Sequence, residues 1–170
     1  MCREITKRVN ITELIPDNSI GAELGVAHGW FSNQLLNSKK IKHLYSIDMW
    51  SGDRGHDVEE YKDAIRKLQK HYDKNSIIRA KFGEAINLFD DNYFDLIYID
   101  GYAHTGQDGG KTLRSWWSKV KTGGVFGGHD YDKMFPIMIE TVNRFVEELG
   151  YTEKLNIIKE KPYNSWYVIK

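Results

Sequence analysis

Residues 95–104 read DLIYIDGYAH, an apolar run that stops at a carboxylate, a glycine and an imidazole: Asp100, Gly101 and His104. Two other stretches share this character. GAELGVAHGWFS (21–32) carries Glu23, Gly25 and Gly29, and KTGGVFGGHDYD (121–132) ends in His129 and Asp130. Carboxylates and imidazoles at strand exits can hold the polar groups of a ligand or move a proton. The plain alternatives are a solvated His104, a loop-packing His129 and an Asp130 that caps a helix or fills a turn.

Those residues need elements to position them. Short β-rich runs fall at 19–24, 43–48, 76–81, 94–99, 123–128, 152–158 and 164–169. Between them, 59–73 carries Tyr61, Ala64, Ile65, Leu68 and Tyr72 at helical spacing. Residues 137–149 do the same, with Gly150 as the stop, and a further helix is expected around 110–120, capped by Asp108. Strands alternating with helices predict a doubly wound, mostly parallel sheet of the Rossmann-like α/β class. The last two runs are joined only by EKPYN, so they should form an antiparallel hairpin. In such sheets ligands bind beyond the carboxyl ends of the strands. Asp48, Asp100 and the glycines from Gly25 sit there.

The first of these turns reads as a nucleotide-type cradle. Gly25 and Gly29 let the backbone approach a ligand, and a helix starting near Gly29 points unpaired N–H groups at it. Glu23 stands where a dinucleotide fingerprint needs glycine, which disfavours a pyrophosphate and with it a nicotinamide cofactor. A glutamate there suits an ammonium group. Asp48 follows Gly25 by the interval at which an acid can meet ribose hydroxyls. Together they predict a nucleoside with a positively charged end.

With AELGVAHGWFS, YSIDMW (45–50), FDLIYIDGYAH and KTGGVFGGHDYD in this order, the chain resembles the class I S-adenosylmethionine-dependent methyltransferases. Within them it is most similar to small stand-alone sugar O-methyltransferases of the macrocin and rhamnosyl type. The resemblance spans about residues 19 to 169 and implies strand order 3-2-1-4-5-7-6. It implies that Glu23, Gly25, Ala27, His28, Gly29 and Trp30 hold the methionine part of S-adenosylmethionine, and that Asp48 holds the ribose. FGEA (82–85) would lie along the adenine through Phe82, Gly83 and Glu84, with Phe82 or Met49 as an apolar wall. Asp100 would lie near the sulfonium. The acceptor expected is a sugar or glycan hydroxyl, with His104 as the preferred base and Asp100 and His129 beside it. In this fold Asp100 and Asp130 end adjacent strands, so with His129 they could share Mg2+ or Mn2+. Trp50 and the loop SGDRGHD (51–57) could border the acceptor or form a lid, and Tyr102, Tyr131 and Phe135 could stack on it. A phenol or amine acceptor, or a cofactor-binding module without catalysis, stays open.

The whole chain sets the outer bounds. Its 170 residues suit one methyltransferase domain, with 1–18 as a lead-in segment. Lysine plus arginine equal aspartate plus glutamate at 24 each, so no global field points to nucleic acid or anionic lipid. Cys2 is the only cysteine, and no apolar run approaches the roughly 20 residues of a membrane span. These features predict a cytoplasmic protein that uses no membrane. No large insertion caps the expected pocket, so a homo-oligomer or a fused or partner domain could complete it.

Overall fold

A computed structural model describes residues 5–51 and 57–170. Its seven strands are β1 (Ser19–Leu24), β2 (Ile41–Asp48), β3 (Asn75–Arg79), β4 (Phe94–Ile99), β5 (Val120–Gly128), β6 (Asn156–Ile158) and β7 (Ser165–Ile169). They form one sheet in the order β3-β2-β1-β4-β5-β7-β6. The pairs from β3 through β5 are parallel, while β7 pairs antiparallel with both β5 and β6. The mostly parallel sheet with its terminal hairpin is therefore confirmed.

Both faces of the sheet are covered, as parallel strands require. Alternate residues of β4 show the two-residue period. Ile97 and Ile99 join a core with Phe126, Trp116 and Trp166, while Leu96 and Tyr98 join one with Leu35, Leu36 and Trp50. The helices are α1 (Trp30–Asn37), α2 (Val58–Leu68), the single turn α3 (Phe82–Ala85), the short turn α4 (Gly106–Gly109), α5 (Lys111–Trp117) and α6 (Pro136–Glu148). Asp57 caps α2 by accepting from Glu59 N–H and Glu60 N–H at 2.9 and 3.2 Å. Within the lead-in, Arg8–Leu14 is a 3-10 turn that buries Ile11 in the core.

Several boundaries differ from the sequence reading. The helix expected over 59–73 ends at Leu68 and tightens into a 3-10 turn, Gln69–His71. Tighter winding carries His71 inward to Asn33 Oδ1 at 3.1 Å and leaves Tyr72 exposed. Residues 152–154 make a 3-10 turn, so the strand expected from 152 begins only at Asn156. Asp108 does not cap α5. Residues 106–110 all have positive φ, and Asp108 instead donates its N–H to Thr105 Oγ1 at 3.1 Å.

The approach of β1 to β4 fixes where the chain can open. Asp100 N–H donates to Leu24 carbonyl at 2.7 Å. Gly25, at φ +96°, sits so close that a Cβ would lie 2.2 Å from the Asp100 carbonyl oxygen. Gly25→Ala should therefore cost about 2–4 kcal/mol of unfolding free energy, read from urea denaturation. A change below 0.5 kcal/mol, the size of an ordinary surface substitution, would show that the two strand ends can separate freely.

Candidate active site

The β1–α1 loop is built around Asp48. Its Oδ2 accepts from Val26 N–H at 2.8 Å and Ala27 N–H at 3.0 Å, and its Oδ1 accepts from Trp50 N–H at 3.0 Å. Trp50 returns the contact, its indole N–H donating to Ala27 carbonyl at 2.9 Å. Ala27 and Trp50 both adopt positive φ, a strained state that such reciprocal bonds can hold. Asp48 thus braces its own loop through both carboxylate oxygens. The Ala27 and Gly29 N–H groups are also used internally, Gly29 donating to Val26 carbonyl at 2.8 Å. Trp50 is buried against Tyr61 and braces the loop. The lid expected over 51–57 falls chiefly on residues 52–56, outside the described residues.

Glu23 is buried behind this loop and accepts from Ser32 Oγ, which also pairs with Ser46 Oγ at 2.7 Å. Burial pushes its carboxyl well above the usual range, and nearby Asp100 adds to this. A ligand ammonium group is the natural counter-charge for it.

At the β4 and β5 exits, two acids and two bases meet. Asp100 Oδ2 accepts from Arg8 Nη1 at 2.8 Å, and Asp100 Oδ1 lies 3.4 Å from His129 Nδ1. His129 Nδ1 is also 3.0 Å from Asp130 Oδ1. Burial alone would lower the His129 pKa, but its hydrogen bonds to Asp100 and Asp130 outweigh that and push it up to about 9. Burial would raise Asp100, yet His129 and then Arg8 bring it below the ordinary carboxylate value. His129 accordingly holds its proton more tightly than a free imidazole does.

A cavity of about 430 Å³ opens over these groups. Glu23, Gly25, Ala27 and His28 line it together with Asp100 and Gly101, and so do His104, Phe135 and Tyr163. His104 is exposed and has no hydrogen-bond partner among the described residues. Its ring meets Phe135 edge-on at 5.1 Å, Phe135 meets Tyr163 at 4.9 Å, and Tyr163 meets His129 at 6.2 Å. Tyr131 is turned elsewhere, donating to Asn143 Oδ1 at 2.8 Å. Trp30 is exposed at the rim with Lys67 Nζ 3.5 Å over its ring, and His28 sits between Glu60 and Asp63.

A second cavity of about 430 Å³ shares Tyr102 with the first and is lined by residues 81–84 and by α5. Phe82, Gly83 and Glu84 border it, with Phe82 edge-on to Tyr102 at 5.2 Å. Met49 reaches the same tyrosine, its Sδ lying 3.9 Å from the Tyr102 hydroxyl. Arg8 and Tyr163 were not visible as site residues in the sequence. One is among three basic residues in a lead-in without periodicity, the other a turn residue.

A methyltransferase domain family model matches residues 21–131. The chain belongs to the methyltransferase-domain family. It is an S-adenosylmethionine-dependent methyltransferase. Solved structures show the same fold. A candidate methyltransferase from Streptococcus mutans, in complex with SAH, is 14% identical at TM-score 0.70, over 99% of this chain and 98% of that one. Precorrin-6y C5,15-methyltransferase from Geobacter metallireducens is 14% identical at TM-score 0.70, over 95% and 86%. Precorrin 8w decarboxylase from Methanobacterium thermoautotrophicum is 17% identical at TM-score 0.69, over 93% and 84%. No curated protein sequence matches the methyltransferase. Among its described residues no helix is long and apolar enough to cross a membrane.

The raised His129 pKa makes the stability of the methyltransferase pH-dependent. A folded pKa above the unfolded value of about 6.5 gives stability that is complete below that value. It is lost as pH rises through about 9. The loss is bounded on the order of 3 kcal/mol. Urea midpoints should fall between pH 6 and pH 10 in the wild type, and His129→Asn should flatten that slope. An equal slope in both proteins would contradict the assignment.

Proposed function

We propose that this methyltransferase moves a methyl group from S-adenosylmethionine to a hydroxyl oxygen of a sugar or glycan, with a divalent cation assisting. The observation that carries the reading is the pairing of two unlike walls across one cavity. Glu23 and Gly25 form a side suited to a charged amino-acid end, and an unpartnered His104 with the Phe135–Tyr163 rings faces them. Residues 81–84 and Tyr102 border the adjoining cavity, which fits the planar base of a nucleoside.

S-adenosylmethionine supplies an electrophilic methyl group on a sulfonium. Asp100, with a depressed pKa at the floor, keeps a negative charge where such a cation would sit. His104 accepts the acceptor hydroxyl proton as the new C–O bond forms and the methyl–sulfur bond breaks, which leaves S-adenosylhomocysteine. The aromatic wall excludes water and offers a ring face to the acceptor. That wall would also take a planar phenol, which is the second reading.

One ligand atom each from Asp100, His129 and Asp130 lies within 4.8 Å of the others, a donor set that fits magnesium or manganese. When bound, such an ion would lower the pKa of a nearby hydroxyl. His129 would give up its Nδ1 proton to join the set. The single cysteine suits a reducing, cytoplasmic setting.

The test is methyl transfer from radiolabelled S-adenosylmethionine to a panel of sugars, phenols and amines. Sugars should be methylated, EDTA should suppress turnover, and added Mg2+ or Mn2+ should restore it. His104→Ala should lower kcat by roughly 100-fold or more with little change in KM. Turnover confined to phenols would favour the second reading. Turnover untouched by EDTA would remove the metal, and an unchanged His104→Ala would remove the base.

A further inference from the structure

Arg8 brings a permanent positive charge into a cavity that is otherwise acidic on that side. Among the described lining residues it is the only lysine or arginine. A chain of hydrogen bonds runs from its backbone into the core. Its backbone N–H donates to Glu160 Oε2 at 3.0 Å, and Glu160 Oε1 accepts from Ser165 Oγ at 2.7 Å. Ser165 Oγ pairs with the Tyr98 hydroxyl at 2.8 Å. The guanidinium also lies 4.5 Å over the Phe31 ring, in the first turn of α1. Nη1 meets Asp100 Oδ2 at 2.8 Å, which engages one corner of a planar fork with five N–H donors.

So much anchoring is more than neutralising Asp100 requires, since His129 already faces that carboxylate. The amino-acid end of S-adenosylmethionine is a zwitterion. Glu23 and Asp100 answer its ammonium group, but its carboxylate needs donors. The loop backbone offers few, because Val26 and Ala27 N–H are held by Asp48 and Gly29 N–H by Val26. Arg8 stands over Phe31, on the α1 side of the cavity and away from the Phe135 wall.

We propose that Arg8 is the receptor for the carboxylate of the cofactor's methionine end. This rests on the placement of the cofactor in this cavity proposed above. The lead-in segment then belongs to the cofactor site, and it lets the enzyme distinguish its cofactor from adenosyl thioethers that lack a carboxylate.

Calorimetry on the full chain with two ligands tests it: S-adenosylhomocysteine and its decarboxylated analogue, which keeps the ammonium group. Arg8→Gln should weaken S-adenosylhomocysteine by roughly 10- to 100-fold, and deleting the ligand carboxylate should weaken wild-type binding by a similar factor. The variant should bind the two ligands equally, within about twofold, because the pair of changes acts on one interaction. Arg8→Lys, which keeps the charge and loses the fork, should fall between. Equal weakening of both ligands by Arg8→Gln would make Arg8 merely structural and overturn the proposal. So would an acceptor KM that rises while S-adenosylhomocysteine affinity holds. If Arg8→Gln does not fold, the two ligands on wild type and Arg8→Lys still decide it. A wild type that binds neither ligand would instead remove the cofactor placement, and the proposal with it.

Discussion

The carboxylate of Asp100 holds the site together. It leaves β4 beside Gly25, where two backbones come too close for a Cβ, and meets Arg8 on one oxygen and His129 near the other. A buried acid facing two cations stays ionised, whereas the same acid without them would be driven toward its neutral form. Asp130 completes the balance from the next strand exit. The result is a compact, nearly neutral group of four charges under a cavity, made from three separate parts of the chain. Removing Asp100 would leave two cations with one acid between them.

Asp48 occupies the equivalent place at the end of β2 and does different work. Its oxygens bind backbone N–H groups of its own neighbourhood, which keeps Ala27 and Trp50 in positive-φ geometry. The loop gains rigidity and gives up donors. That trade makes side chains such as Glu23 and Arg8 the main polar groups on that side of the cavity.

The alternation of strands and helices made the sheet legible, and the short link after 158 made the hairpin legible. Strand-end acids were visible as site candidates because a polar residue after an apolar run is rare without a use. Their roles were less legible. An aspartate at the end of β2 looks the same in sequence whether it serves a ribose or its own loop, and Trp50 looks the same whether it lines a pocket or braces a turn. Arg8 gave no signal, because it is one of several basic residues in a short lead-in that has no periodicity to place it. Tyr163 was hidden for the same reason: EKPYN reads as a turn, and only the fold brings its ring against Phe135.

The central claim is that Asp100 sets the charge state of its neighbours. The 15N shifts of the His129 ring, followed against pH in wild type and in Asp100→Asn, test it most directly. The account predicts an imidazolium that titrates near pH 9 in the wild type and at clearly lower pH in the variant. A midpoint near that of a free imidazole, about 6.5, in both proteins would contradict it.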